Sequence, residues 1–230
     1  MDEKSLRTSW KQRIVIIIIA VFMLGSTLAT YIAVVIVNNN KSDSDKKSPE
    51  LTKLEEEYSA KQSEINEYAN ELAKKYFDEF KGYKSNVKSY NAETVNKEGL
   101  TTKDLKKGDG KKLAEGDKDY VAYYIGFCPD ESIFDSSFDD KDNPTTLNAP
   151  LSASVGLIKG WDQGVIGMHI GGVRELSIPG ELAYGDSQEI CGQKNSPLKF
   201  IVMPIEDEKL SKLNKELEDT YNKMMEQYQN

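Results

Sequence analysis

The chain has 230 residues, a formal net charge of -8 and a charged fraction of 30%. An acidic balance excludes a nucleic-acid-binding surface, which needs Lys and Arg clustered on one face. The charged fraction is high for one compact globule, so part of the chain is expected to be non-globular.

Residues 1–13 form a short tail with Lys4, Arg7, Lys11 and Arg13, and no charged residue follows until Lys41. Residues 14–37 are apolar apart from Gly25, Ser26, Thr27 and Thr30. A bilayer-spanning helix needs about 20 such residues, so a transmembrane helix is expected here. The basic tail, weighed against Lys41, Lys46 and Lys47, favours a cytoplasmic N-terminus. The protein is then expected to be single-pass in the cell membrane, with everything beyond Lys41 extracytoplasmic. A signal peptide cut after Ala29 in "TLAT" is the alternative, but the apolar run continues through "YIAVVIV".

Residues 38–97 read as a linker and a helical stalk. "KSDSDKKSP" has linker composition, and Ser48, Pro49 and Glu50 form a helix start with a cap, an N1 proline and a first-turn acid. Leu51, Tyr58, Ile65 and Leu72 recur every seven residues, with Leu54 and Tyr68 between them, while Lys61 and Lys75 interrupt the stripe. A helix from Pro49 to about Tyr83 would be roughly 50 Å long. Two readings fit: a coiled-coil stalk joining copies into a homo-oligomer, or an amphipathic helix lying on its own domain.

From Glu98 to Asp207 the texture changes to short β-rich runs punctuated by glycine. "YVAYYIGF" from Tyr120, "RELSIP" from Arg174 and "LKFIVMPI" from Leu198 are expected strands, with one short helix around Trp161. Antiparallel strands over a single helix make an α+β domain. Residues 208–230 then read as a C-terminal helix, with Leu210, Leu213, Leu217, Tyr221, Met224 and Tyr228 on one face. That stripe is expected to pack on the N-terminal helix or on a second copy, and methionine there would also suit varied unfolded clients.

Five blocks carry a more specific signal: "YYIGF", "IFDSS", "GLIKGWDQGVIGM", "IPGELAYG" and "SPLKFIV". In this order and spacing they resemble the signature of the FKBP-type peptidyl-prolyl cis-trans isomerases. The resemblance implies a twisted antiparallel sheet wrapped over one short helix within residues 98–207. It also implies an apolar pocket that takes proline-containing polypeptides without a metal or any other cofactor.

In that pocket Trp161 is expected to be the floor for a proline ring, with Tyr124, Phe134 and Phe200 as aromatic walls. Leu157 and Ile158 line the rim, and the Ile158 backbone N–H is expected to bond a substrate carbonyl. Asp135 and Tyr184 supply the polar groups. Asp135 either meets the amide carbonyl carbon or orients the tyrosines; both roles stay open. Where the family usually has an aromatic residue before "LIKGW", this chain has Leu151 or Ala153, and Ile190 stands in for an Ile-Pro-Pro run in the later loop. The first departure thins the wall, and together they leave tight macrolide binding in doubt.

Cys128 and Cys191 fall in segments that approach each other in the family, so a disulfide and two independent thiols both remain open. His169, the sole histidine, reads as an exposed turn residue. The function expected is that of a foldase for exported proteins at the outer side of the cytoplasmic membrane. The alternative is a catalytically weak FKBP-like binding or scaffold module on a helical membrane stalk.

Overall fold

The computed structural model describes residues 48–153 and 156–227. The apolar run 14–37, its flanks up to residue 47 and Tyr228 lie outside these residues. Among the described residues no helix is long and apolar enough to cross a membrane. The chain divides into two compact units, one of residues 64–215 and one whose described part is residues 48–63 with 216–227.

Helix α1 spans Pro49–Gly82. The Ser48 hydroxyl accepts the Leu51 N–H at 3.1 Å, satisfying one of the donors that a helix start leaves unpaired. Next comes α2, Ala92–Glu98, capped by Asn91, whose side chain accepts the Thr94 N–H at 2.8 Å. Six antiparallel strands follow: β1 Thr101–Lys106, β2 Val121–Phe127, β3 Ile133–Ser136, β4 Leu151–Ser152, β5 Val173–Ile178 and β6 Leu198–Ile205. They pair in the order β1-β5-β6-β2-β3, with β4 on β2. The short α3, Lys159–Gly164, precedes β5, and α4, Glu208–Gln227, ends the described chain. Asp207 caps α4 through one carboxylate oxygen, 2.9 Å from the Leu210 N–H, while the other accepts the Tyr68 hydroxyl at 2.6 Å.

Both faces of the sheet are covered within the larger unit, so β2 and all but one residue of β6 are buried. Alternation sends Tyr124 on β2 and Phe200 and Val202 on β6 toward α3, where they join Trp161, Val165, Leu176 and Ile178 in one core. The opposite parity sends Tyr123 the other way, onto Tyr76 and Phe80 of α1 at ring distances of 5.8 and 6.0 Å. Phe80 also stacks on Phe138 at 5.7 Å. Residues 64–82 are therefore a cover for the sheet, and Ile65, Leu72 and Phe80 are buried in place.

In the smaller unit Tyr58 meets Tyr221 at 6.2 Å, and Lys61 pairs with Glu216 at 2.8 Å. Leu51, Leu217 and Met224 are buried there. Over residues 64–82 the stripe follows the amphipathic reading, and a coiled coil finds no support among the described residues. The larger compact unit begins at Glu64, within α1.

Candidate functional site

The site is assembled by strand register. Gly126 on β2 lies opposite Asp135 on one side and Phe200 on the other, and Phe200 lies opposite Leu176. Gly126 has no side chain for a packing reason: a Cβ there would stand 2.8 Å from both the Phe134 and the Phe200 ring. With that space open, Phe134 and Phe200 meet edge to face at 5.6 Å. Gly160 does the same for α3, since a Cβ would meet the Ile178 side chain at 2.2 Å. The helix lies tight on the sheet and inserts its one tryptophan.

Trp161 stands edge-on to Tyr124 at 5.6 Å and to Phe200 at 5.5 Å. Around this trio, Phe134, Leu151, Leu157, Ile158, Tyr184 and Ile190 are half-buried and pack on the same core. The structure therefore brings together all the aromatic and apolar residues that the resemblance points to. Both residues expected to replace the missing ring are present, Ala153 deep in the core and Leu151 at its edge.

Depth requires a correction. Trp161 is only 2% exposed, so in this conformation the indole is a core plug beneath the rim rather than an open floor. The accessible apolar surface is made by the half-buried side chains above it. A cavity of about 300 Å³ lies elsewhere, against Tyr90, Val95, Glu175, Ser177 and Lys199, and contains none of the expected site residues.

The polar part of the site is Asp135 with its neighbours. The Tyr124 hydroxyl donates to Asp135 Oδ2 at 2.7 Å. Burial pushes the Asp135 carboxyl above the usual carboxylate range, against the opposing pull of the Tyr124 hydroxyl, the Ser136 N–H and Lys141. Burial and then the Asp135 charge push the Tyr124 and Tyr184 hydroxyls up, so both stay protonated at neutral pH. No protein partner for the Tyr184 hydroxyl or the Ile158 N–H occurs among the described residues. Ile158 is the N-cap of α3.

Cys128 and Cys191 form a disulfide, closing the alternative of two free thiols. It ties the end of β2 to the residue after Ile190, so the loop carrying one rim residue is anchored to the strand carrying Tyr124. His169 is exposed, its Nδ1 2.9 Å from the Gly110 carbonyl.

Residues 110–203 match the family model of FKBP-type peptidyl-prolyl cis-trans isomerases. An FK506-binding protein of Neisseria meningitidis serogroup B is 40% identical over 90 residues, covering 38% of this chain and 75% of that protein. The chain belongs to the FKBP-type peptidyl-prolyl cis-trans isomerase family. An FK506-binding protein of Streptomyces anulatus is 44% identical over 89 residues, covering 38% of this chain and 67% of its own length. The crystal structure of AtFKBP13 shares 34% identity with a TM-score of 0.37, covering 48% of this chain and 94% of that one.

Three features of this FKBP-type isomerase escape the sequence patterns. Tyr120 accepts the indole N–H of Trp161 at 3.3 Å. Arg174 donates to the Gly164 and Ile166 carbonyls at 2.9 and 3.0 Å, closing the end of α3, and to Asp104 at 2.6 Å. Asn96 of α2 accepts the Gly180 N–H at 2.9 Å, supporting the turn that leads to Tyr184. Strand parity was the available signal for the first two: Tyr120 is in phase with Tyr124, and Arg174 with Leu176.

Proposed function

We propose that the protein is a membrane-anchored foldase that isomerises Xaa-Pro bonds of exported polypeptides on the outer side of the cytoplasmic membrane. The aromatic cluster around Trp161 carries the chemistry. Rotation of a prolyl amide crosses a barrier of roughly 20 kcal/mol set by amide resonance, and no bond to a heavy atom is made or broken. The twisted amide has lost conjugation and with it part of its charge separation. A low-polarity surface of Phe134, Leu157, Ile190 and the rings beneath therefore favours the twisted form over the planar one, and that difference in binding is the catalysis.

In this reading the Ile158 N–H and the Tyr184 hydroxyl hold the substrate backbone. Asp135 keeps the Tyr124 ring in place and puts negative charge beside the rotating carbonyl carbon. Each 1.36 kcal/mol of preference for the twist gives about tenfold in rate.

The address rests on two observations of different kind. The apolar run 14–37 follows a basic tail, and the Cys128–Cys191 disulfide belongs to an oxidising compartment. Protease added to intact cells with the outer layers opened should digest the isomerase domain and leave the first residues protected in the membrane fraction. Recovery of the whole chain in the soluble cytoplasm overturns this address.

The 2% exposure of Trp161 favours a second reading, a weak catalyst that mainly holds proline-containing segments. An exchange assay on Xaa-Pro peptides separates the two. The foldase reading expects turnover well above the uncatalysed rate; binding without turnover supports the holding module.

A further inference from the structure

Tyr120 lies outside all five signature blocks, yet it makes a direct hydrogen bond to the indole at the centre of the site. Its hydroxyl stands 3.3 Å from Trp161 Nε1, and the two residues are 3% and 2% exposed. An indole N–H only donates, so the tyrosine oxygen is the acceptor. Burial holds the Tyr120 phenol at about 12, hence neutral.

The tyrosine is itself fixed. Its carbonyl accepts the Ala153 N–H at 3.0 Å, next to β4, and its ring belongs to the core that holds Tyr124, Trp161 and Phe200. The adjoining Lys118 pairs with Asp162, the neighbour of Trp161, at 2.5 Å. That pair is partly exposed and contributes little energy by itself, but it ties the same two segments together.

Trp161 meets Tyr124 and Phe200 at interplanar angles of 78° and 73°. Three contacts thus set the indole plane, and of these only the hydrogen bond depends on direction at a single atom. Turning the ring would leave a buried N–H without a partner, which costs more than the bond is worth when made.

We propose that Tyr120 is a positioning residue for the isomerase: its hydroxyl fixes the plane of the Trp161 indole beneath the prolyl ring. This rests on the reading that Trp161 underlies the substrate site. It also removes the indole N–H from substrate recognition, leaving the Ile158 N–H and the Tyr184 hydroxyl as the donors.

A double-mutant cycle tests it in the full chain carrying Trp10→Phe, so that Trp161 is the only tryptophan. The four proteins are that parent, Tyr120→Phe, Trp161→Phe and the double variant. The kcat/KM of all four on an Xaa-Pro peptide is read, together with Trp161 emission in the two that keep the indole. Tyr120→Phe should shift the emission to the blue and lower kcat/KM about fivefold, the worth of one net hydrogen bond. In the Trp161→Phe background, where no N–H remains to be held, the same change should alter the rate less than twofold.

Equal losses in both backgrounds, or none in the parent, overturn the proposal. Should Trp161→Phe alone leave the rate unchanged, the site reading fails and this proposal with it. Indole N–H exchange in the parent needs no variant in this position: the bonded N–H should exchange slowly, and rapid exchange counts against the bond.

Discussion

Phe134 and Trp161 serve the same surface but differ in what their removal costs. Trp161 is almost wholly buried, so Trp161→Ala opens a cavity worth about 3–5 kcal/mol and mixes lost activity with lost stability. Phe134 is half-buried, and its ring is the proposed wall of the substrate site. Phe134→Ala should lower kcat/KM at least tenfold while the melting temperature moves by only a few degrees. An unchanged rate would remove Phe134 from the site.

Asp135 gives a prediction in pH. Its folded-state pKa is raised, chiefly by burial, so folding favours the protonated acid. The stability this contributes is complete below the unfolded value of about 3.9 and is lost as pH rises through the raised folded value. Asp135→Asn has no such proton to lose. Between about pH 4 and neutrality the wild type should therefore lose melting temperature relative to Asp135→Asn, and parallel curves would contradict a buried, raised carboxyl. The residues of this cluster were legible in the sequence because five short blocks name them in order. Their depth was not, since 2% exposure of an indole depends on what strands far away in the chain lay over it.

At the level of elements, α1 changes the meaning of the domain boundary. Patterning places the domain start near Glu98, where β-rich texture begins, because a polar helix with an interrupted apolar stripe looks like a separate stalk. In the fold its second half covers the outer face of the sheet through Tyr76, Phe77 and Phe80. Phe80→Ala, at a fully buried position, should destabilise by about 3–5 kcal/mol in denaturant titration. A fragment beginning at Glu98 leaves Tyr123 and Phe138 uncovered and should bind a hydrophobic dye and aggregate, whereas one beginning at Ser48 should not. Equal behaviour of the two fragments would mean that the helix is dispensable. Strands β2, β5 and β6 were readable from alternation, but β1 and β3 were not. The exposed "TTKDLK" has no apolar face to betray it, and β3 is only four residues long.

For the whole molecule, the Cys128–Cys191 bond closes a loop of sequence separation 63. The chain-entropy model gives such a link about 4 kcal/mol, gained by restricting the unfolded state. Reductant should lower the denaturation midpoint of the wild type and leave a Cys128→Ala, Cys191→Ala variant unaffected. An insensitive wild type, or two free thiols by intact mass, would remove the link.

The sequence by itself determined the family, the strand parity and the identity of the clustered aromatics, because these are short-range patterns that survive without knowledge of what packs where. Only the tertiary structure decided that residues 64–82 of α1 belong to the larger unit, that the two thiols are joined, that the Tyr124 hydroxyl rests on Asp135 and that Trp161 is covered and held by Tyr120. Each of these is a contact between residues distant in the chain. Burial and hydrogen-bond partnership are properties of neighbours in space, and a linear pattern of residue types does not contain them.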